Sequence, residues 1–265
     1  MQYETILVRR DARDVVTVTL NRSEKRNALS AAMISELMDF AARIDTDGTV
    51  RAVVLEGAGE TFCAGGDLSW MKRQVEADRA TRMSEARKLA AMLGALNSLR
   101  APLVGAIRGA ALGGGAGLAA VCDVAIAETG THFGFTETRL GLIPATIGPY
   151  VLARLGEGRA RRVFMSARVF DAVEAERLGL IARCVEPGCL GSAVEEEVAP
   201  YLAAAPGAVA RAKRLALQLA SPVDEASVEA SIAALADAWE SDEARAGIAA
   251  FLEKRSPQWA TAARA

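Results

Sequence analysis

Apolar and polar residues alternate along the segment VVTVTL, residues 15–20. Every second residue from Val16 to Leu20 is apolar, and threonines stand between them. This period of two predicts a strand with one buried face. The segments RAVVLEG at 51–57 and APLVGAI at 101–107 are short apolar runs that end in glycine or next to charge. We therefore predict that they form two more deeply buried strands.

Between the last two runs, the apolar residues change to helical spacing. Leu89, Met92, Leu93 and Leu96 recur at intervals of three and four residues, which predicts an amphipathic helix. The segment DVAIAE at 123–128 has the character of another strand. Because strands separated by helices are typical of α/β layers, the predicted fold class is α/β.

After about Val185 the chain becomes rich in alanine and almost free of glycine within its segments. This composition predicts helices through the rest of the chain. The pairs Pro187–Gly188 and Pro206–Gly207 predict the turns between these helices. We therefore expect a core over residues 1–190 and a helical C-terminal region over residues 191–265.

Composition and charge exclude several classes of partner. The chain has 265 residues, of which 51% are hydrophobic and 24% charged, so it can bury a sizeable core. The net charge is −2 and no basic block is present, which argues against nucleic acid or an anionic membrane surface as a partner. The uncharged stretch Gly109–Cys122 is too short to cross a bilayer.

Two features bear on the compartment in which the protein works. The N-terminal segment MQYETILVRRD mixes charges into its only apolar run, so we predict no secretory signal. The four cysteines show no C-x-x-C spacing and are typical of buried thiols in a reducing compartment. We therefore expect a cytoplasmic protein.

The segment GAALGGGAGLAAVCD, residues 109–123, contains five glycines. Glycine destabilises regular elements by about 0.5 to 1 kcal/mol relative to alanine, so this density indicates a close approach to the backbone. One interpretation is a dinucleotide loop, because GAGLAA at 115–120 fits the loose G-x-G-x-x-G/A pattern. Glu128 follows much sooner than the acid that would hold a ribose, which argues against that interpretation.

A second glycine-rich loop, GETFCAGGDLSWM at 59–71, follows the strand predicted at 51–57. Two strands thus end in turns that can present backbone N–H groups. Two converging N–H groups form an oxyanion hole, which stabilises charge that develops on a carbonyl oxygen. If the segment at 109–123 also opens a helix, the helix dipole adds positive potential at the same point.

Four motifs occur in a characteristic order: LNRSEKRNALS, FCAGGDL, GAALGGGAGLAAVCDVAIAE and FGFTETRLGLIP. Together they closely resemble the enoyl-CoA hydratase/isomerase, or crotonase, family, and FLEKRSPQW resembles the family's C-terminal helix. The resemblance implies a spiral of ββα units with a C-terminal helical trimerisation region. It also implies acyl-CoA thioester substrates, no cofactor apart from the coenzyme A of the substrate, and a homotrimer or a dimer of trimers.

The resemblance assigns roles to individual positions. Gly66 and Gly114 match the two N–H groups that hold the thioester oxygen. Phe251 and Lys254 match positions that reach a coenzyme A bound to the neighbouring subunit, and Trp70 and Met71 are candidates for the acyl pocket. The positions matching the segments around coenzyme A are Lys25, Ala28, Ala64, Gly66, Asp67 and Leu68.

The chain departs from the family pattern at one catalytic position. Typical hydratases of the family carry two glutamates beside the substrate, although some lack the first, and here Gly117 occupies the first position while Glu137 keeps the second. A single carboxylate beside a polarised thioester can still activate water or move a proton. No metal-ligand motif is present, and His132, the only histidine, is expected to be structural because no G-x-S-x-G elbow accompanies it.

One glutamate is compatible with two reactions, hydration of a 2-enoyl-CoA and isomerisation of a 3-enoyl-CoA to a 2-enoyl-CoA. The motifs most resemble the branch that hydrates 3-methylglutaconyl-CoA and related branched, carboxylated substrates, which favours hydration. Glycine at 117 would remove a like charge and leave volume for such an acyl group. A non-catalytic acyl-CoA binding protein is the alternative of another class.

Overall fold

The computed structural model describes residues 3–220, 224–257 and 259. Their nine strands form two sheets. The strands are β1 (Ile6–Arg10), β2 (Val15–Leu20), β3 (Ala52–Gly57), β4 (Leu103–Ile107), β5 (Ala110–Leu112), β6 (Val124–Glu128), β7 (His132–Gly134), β8 (Val169–Asp171) and β9 (Arg183–Val185).

Eleven α-helices and two short 3₁₀ helices occur in the same ranges. The α-helices are α1 (Ala31–Thr46), α2 (Leu68–Glu76), α3 (Arg79–Asn97), α4 (Gly114–Val121), α5 (Gly148–Leu155), α6 (Glu157–Phe164), α7 (Ala172–Leu178), α8 (Leu190–Ala203), α9 (Pro206–Leu219), α10 (Glu225–Glu240) and α11 (Asp242–Leu252). The 3₁₀ helices are Ser23–Lys25 and Glu137–Leu140.

The larger sheet has the strand order β1-β2-β3-β4-β6-β9. The pair β1–β2 is antiparallel, and every other neighbouring pair is parallel. All five residues of β4 are buried, as expected for a central strand covered on both faces. One face belongs to the main apolar core with α1 and α3, and α8 covers the other through Val194 and Val198. The strands predicted at 15–20, 51–57, 101–107 and 123–128 all lie in this sheet.

The smaller sheet consists of β5, β7 and β8, and Cys63 adds a parallel bridge to Ala111 in β5. The chain runs from the larger sheet to the smaller one and then into helix, as in β4–β5–α4, and it enters both sheets again at β6–β7. This repeated ββα path agrees with the predicted α/β fold. It also places the N-terminus of α4 at the end of a strand that is paired with Cys63.

The C-terminal helices differ in what they cover. Helix α10 packs on α3, and α11 packs on the 3₁₀ helix Glu137–Leu140. The latter contact is close, because a β carbon on Gly247 would lie 2.6 Å from the carbonyl oxygen of Leu140. Pro206 opens α9 instead of forming a turn, since its fixed φ suits the first helical position. The division at residue 190 stays a prediction.

No helix within the described ranges is both long enough and apolar enough to span a membrane.

Candidate active site

Residues of helices α2, α3, α10 and α11 line a cavity of about 730 Å³. Both glycine-rich loops and the 3₁₀ helix that begins at Glu137 reach its wall. Of the residues singled out from the sequence, Gly117 and Lys254 are not part of the lining. The lining includes Lys25, Ala28, Ala64, Gly66, Asp67, Leu68, Trp70, Met71, Gly114, Glu137 and Phe251.

The parallel bridge between Cys63 and Ala111 sets the relative position of the two loops. The Cys63 N–H donates to Ala110, and the Leu112 N–H donates to Cys63, so the two segments run side by side. Gly66 lies three residues after Cys63, and Gly114 lies three residues after Ala111. Within the described ranges, neither of their N–H groups donates to another protein atom. The geometry therefore leaves two backbone donors available at one cavity wall.

Helix α4 begins at Gly114, so its unpaired N–H groups and the positive end of its dipole lie at the same wall. Gly113 precedes it with a φ of 49°, a left-handed conformation that suits glycine. Gly115 must also be a glycine, because a β carbon there would lie 2.4 Å from the Cys63 carbonyl oxygen. Gly115 is thus required because α4 starts directly against the segment that contains Cys63.

Asp67 holds the loop that carries Gly66. Its carboxylate accepts hydrogen bonds from the N–H groups of Ser69 and Trp70 and so caps helix α2. It also forms an ion pair with Arg22, at 2.9 Å. Burial disfavours the charged form, but the hydrogen bond from Arg22 and the capping bonds outweigh it and lower the pKa of Asp67. Asp67 is only 7% exposed, so its main contacts are with its own chain.

Glu137 places its carboxyl group beside the start of α4. A β carbon on Gly113 would lie 3.0 Å from Glu137 Oε1, and Oε2 is buried without a hydrogen-bond partner among the described residues. Burial raises the pKa of Glu137 from 4.5 to about 7. The side chain is therefore an enclosed acid whose two protonation states are both accessible near neutral pH.

Gly117 lies one helical turn beyond Gly113. The sequence predicted open volume beside it, and the structure differs from that prediction. A β carbon on Gly117 would lie 2.5 Å from Ile147 Cγ2 and 3.9 Å from Leu93 Cδ1. The extra volume expected beside Gly117 is absent, because Ile147 fills the space where the side chain of a larger residue would begin. Gly117 is buried, and the wall at this point is apolar.

The predicted acyl-pocket residues Trp70 and Met71 flank Gly66. A β carbon on Gly66 would lie 3.8 Å from Met71 Cγ and 3.9 Å from Trp70 Cε3. The indole N–H of Trp70 donates to Glu85 at 3.2 Å, which fixes the ring orientation. Both side chains thus lie close to Gly66 in the cavity wall.

Phe251 is 47% exposed and lines the cavity of its own chain. Lys254 is exposed and follows the end of α11 with a φ of 56°. A contact of either residue with coenzyme A on a neighbouring subunit stays a prediction. Lys25 and Leu68 also line the cavity, and Leu68 is exposed.

The lining also includes residues that were not singled out from the sequence, among them Arg82, Leu235 and Trp239. Arg82 precedes Leu89 by seven residues and thus lies on the face of α3 that the amphipathic pattern already marks. Extending the helical spacing of Leu89 toward the N-terminus of α3 places residue 82 on the same face of the helix. Leu235 and Trp239 belong to α10, whose docking against α3 no local pattern predicts.

Within the ranges that the structure describes, no group of three or more side chains could hold a metal ion. His132 is exposed on β7, paired with Ala110 and Asp171 through the backbone ladder, and does not line the cavity. At the glycine-rich wall the cavity therefore offers two backbone donors, a helix N-terminus and the enclosed carboxyl group of Glu137.

Comparison with known proteins bears on the same residues. The sequence pattern of the family described as Enoyl-CoA hydratase/isomerase matches residues 10–262. The Mycobacterium bovis protein named "Probable enoyl-CoA hydratase echA8" is 34% identical over 264 residues, 98% of this chain and 99% of that protein. The "Mevalonyl-coenzyme A hydratase sidH" of Aspergillus fumigatus is 34% identical over 254 residues, 92% of this chain and 91% of that protein.

A crystal structure of an enoyl-CoA hydratase from Mycobacterium avium has a TM-score of 0.84 and 34% identity to this chain. That match covers 97% of this chain and 100% of the other. The similarity therefore includes the sheets, both glycine-rich loops and the C-terminal helices. As the motifs predicted, the chain belongs to the enoyl-CoA hydratase/isomerase family and is an enzyme of that family.

Proposed function

We propose that this enzyme adds water across the 2,3 double bond of an enoyl-CoA thioester, with Glu137 as its only acid/base. One observation carries the proposal: the carboxyl group of Glu137 is buried beside the start of α4, and its Oε2 has no partner among the described residues. Burying a carboxyl group without a partner costs free energy, and such groups cluster at catalytic sites.

The backbone donors account for the activation of the substrate. The thioester oxygen would accept hydrogen bonds from the N–H groups of Gly66 and Gly114. When the oxygen of water bonds to C3, the electron pair of the double bond shifts toward the carbonyl and forms an enolate. The two N–H groups and the positive end of α4 stabilise the charge on its oxygen.

Glu137 accounts for both proton transfers. Its carboxylate takes the proton that water loses as the new C–O bond forms. The resulting carboxylic acid then donates a proton to C2 as the enolate collapses, which returns Glu137 to its starting state. A group whose pKa is about 7 suits both steps, because neither of its protonation states is strongly disfavoured near neutral pH.

The coenzyme A portion would lie at the cavity opening, against the segments 24–28 and 64–68. Both segments line the cavity, and Lys25 and Arg26 supply positive charge there. Positive charge at this position suits a ligand that carries phosphates, because phosphates are negatively charged. We propose no cofactor other than the coenzyme A of the substrate.

For the acyl group we propose a branched, carboxylated chain such as 3-methylglutaconyl. The support is electrostatic. Where hydratases of the family carry a second glutamate, this chain has Gly117 covered by Ile147, so no carboxylate repels a negatively charged acyl group at that wall. The resemblance of the motifs to the branch that hydrates 3-methylglutaconyl-CoA supports the same acyl group.

A panel of 2-enoyl-CoA substrates tests the proposal through loss of the conjugated thioester absorbance. We expect turnover of 3-methylglutaconyl-CoA at a higher kcat/KM than crotonyl-CoA. Turnover of crotonyl-CoA without turnover of 3-methylglutaconyl-CoA would support hydration but reject the proposed carboxylated acyl group. No loss of absorbance with any 2-enoyl-CoA would reject hydration.

Isomerisation of a 3-enoyl-CoA is a second candidate, favoured by the apolar wall that Ile147 forms. An isomerase must move a proton between C4 and C2 without admitting water, and one carboxyl group suffices for that. A 3-hexenoyl-CoA assay distinguishes the reactions, because isomerisation to the 2-enoyl-CoA increases the conjugated absorbance, whereas a hydratase without isomerase activity leaves this substrate unchanged.

A further inference from the structure

Arg82 carries a positive charge in the cavity wall away from the glycine-rich loops. It lies on α3, on the same face as Ala86 and Leu89, and all three line the cavity. The side chain is half-buried. Its position on helix α3 separates it from Lys25 and Arg26, the cations at the segment proposed to face coenzyme A.

The guanidinium of Arg82 is held in place by neutral groups. Its Nε donates to the carbonyl oxygen of Gln74 at 2.8 Å, and one Nη donates to that of Val75 at 3.1 Å. The group also lies over the ring of Trp239, 5.6 Å from the ring centre. The other nitrogen, Nη1, donates to no protein atom in the described part of the chain.

Arg82 forms no salt bridge with a carboxylate among the described residues, although Asp78 is close enough to interact with its charge. Asp78 is occupied as the N-cap of α3, where it accepts from the Thr81 N–H. Asp237 and Glu240, the acids that flank Trp239 on α10, both pair with Arg79. A fixed cation with a spare donor therefore faces a cavity in which an anion can approach it.

The distance from the thioester site limits the kind of anion. Gln74, whose carbonyl holds Arg82, lies seven residues along α2 from Asp67, which is about 10 Å at about 1.5 Å per residue. Asp67 directly follows Gly66. An extended acyl chain of about five to seven carbons covers that span when a hydrogen bond of about 2.9 Å is added at its end.

We propose that Arg82 binds a carboxylate at the far end of the acyl group, so that the enzyme selects enoyl-CoA substrates that are also carboxylic acids. This inference rests on the proposed hydratase function and identifies the side chain that confers its specificity. Trp239 and the carbonyls of Gln74 and Val75 orient the guanidinium, which lowers the entropic cost of binding.

The test compares glutaconyl-CoA with 2-pentenoyl-CoA, which share a five-carbon acyl chain but differ in the terminal carboxylate. In wild type we expect the higher kcat/KM with glutaconyl-CoA. Arg82→Gln should lower the ratio of the two kcat/KM values at least tenfold, chiefly through the KM of glutaconyl-CoA. Arg82→Lys, which keeps the charge, should retain part of the preference.

Arg87→Gln is the matched control. Arg87 also joins α3 to α10, through Glu229, but does not line the cavity, so its loss should leave the ratio unchanged. An equal fall in kcat/KM for both substrates in Arg82→Gln would mean that Arg82 only supports the fold and would overturn the proposal. Hydration of 2-pentenoyl-CoA with an unchanged ratio would overturn it while leaving the hydratase function intact.

A binding measurement on wild-type protein covers the case in which Arg82→Gln does not fold. Calorimetry should show that glutaryl-CoA, a saturated analogue that cannot react, binds at least tenfold more tightly than pentanoyl-CoA. Equal affinities would reject the role of Arg82. Failure of wild type to hydrate either five-carbon substrate would reject the proposed function itself.

Discussion

The side chain of Ile147 packs directly against the α carbon of Gly117, and a β carbon on Gly117 would lie 2.5 Å from Ile147 Cγ2. The two residues together close the wall of α4 with apolar atoms. The residue types at 117 and 147 therefore depend on each other. Ile147 leaves no room for a glutamate at 117, and it also fills the space that glycine would otherwise leave open.

This relationship predicts different outcomes for single and double variants. Gly117→Glu alone should lower the free energy of unfolding by about 1 to 3 kcal/mol through overpacking, as measured by urea denaturation. Gly117→Glu combined with Ile147→Ala should recover most of that loss. In the double variant the ratio of kcat/KM for 3-methylglutaconyl-CoA to that for crotonyl-CoA should fall about ten- to a hundredfold, because a like charge now faces the carboxylated acyl group.

The matched control for volume is Gly117→Ala with Ile147→Ala, which adds no charge and should leave that ratio nearly unchanged. A ratio that stays constant in the glutamate double variant would contradict the electrostatic argument.

Glu137→Gln should separate binding from chemistry. The amide has the size of the acid but cannot accept a proton, so turnover should fall by about two orders of magnitude or more while acyl-CoA affinity changes only a few-fold. Stopped-flow turnover and calorimetry with a saturated acyl-CoA measure the two quantities. Unchanged turnover would exclude Glu137 as the acid/base.

The raised pKa of Glu137 sets the pH dependence of activity. The free enzyme needs the carboxylate to accept a proton from water, and burial raises the pKa of this group to about 7. We therefore expect kcat/KM to increase with pH, with a midpoint near 7, and to level off above it. A profile without this transition between about pH 5 and pH 9 would contradict the assignment.

The same pKa predicts an opposite trend in stability. Because the pKa rises from 4.5 to about 7 on folding, the folded protein holds the proton more tightly than the unfolded chain. Stability should therefore fall by about 3 kcal/mol as the pH rises through this window. Glu137→Gln should remove that loss, so that it is more stable than wild type above pH 7 and of similar stability at low pH. Denaturant titrations of both proteins across the window measure the difference.

Gly115 provides a test of how the two N–H groups are positioned. Gly115→Ala would place a β carbon 2.4 Å from the Cys63 carbonyl oxygen, which forces α4 away from the neighbouring strand and displaces Gly114. We expect a fall in kcat of at least tenfold. Gly130→Ala is the control, since a β carbon there has no neighbour within 4 Å, and its kcat should match wild type. Equal activity of the two variants would show that the loops tolerate this displacement.

Helix α9 bears on the assembly that the family resemblance predicts, a homotrimer or a dimer of trimers. Leu215 and Leu219 lie one turn apart on it and are 54% and 79% exposed in the single chain. Because large apolar patches are rarely left in water, we expect a particle of three or six times the 27.8 kDa of one chain. Light scattering measures this, and Leu219→Lys should shift the mass toward the single chain if α9 is the contact. A monomer mass for wild type would contradict the assembly.

The sequence was most informative where one element carries its own pattern. Strand β2 alternates from Val16 to Leu20, and α3 shows an apolar stripe from Leu89 to Leu96, so both were predictable. Strands β5, β7 and β8 have three residues each, which is too short for any period to be visible. The larger sheet was thus predicted in part and the smaller sheet was not.

The candidate site shows the same division. Gly66, Gly114 and Glu137 lie in motifs, and their common cavity was predicted from those motifs. The contact of Ile147 with Gly117 joins residues of separate elements, and the contact of Arg82 with Trp239 joins α3 to α10. Such contacts depend on how helices dock, and helix docking leaves no local periodicity.

The wall formed by Trp239 and Phe251 has a consequence for biosynthesis. A ribosome makes Gly66, Gly114 and Glu137 well before the two aromatic residues that enclose them. Helix α11 also packs on the 3₁₀ helix that begins at Glu137, so the acid acquires its final surroundings only after α11 is translated and docked. Because all nine strands precede α10 and α11 in the chain, a nascent chain can form both sheets before it can complete the cavity around Glu137.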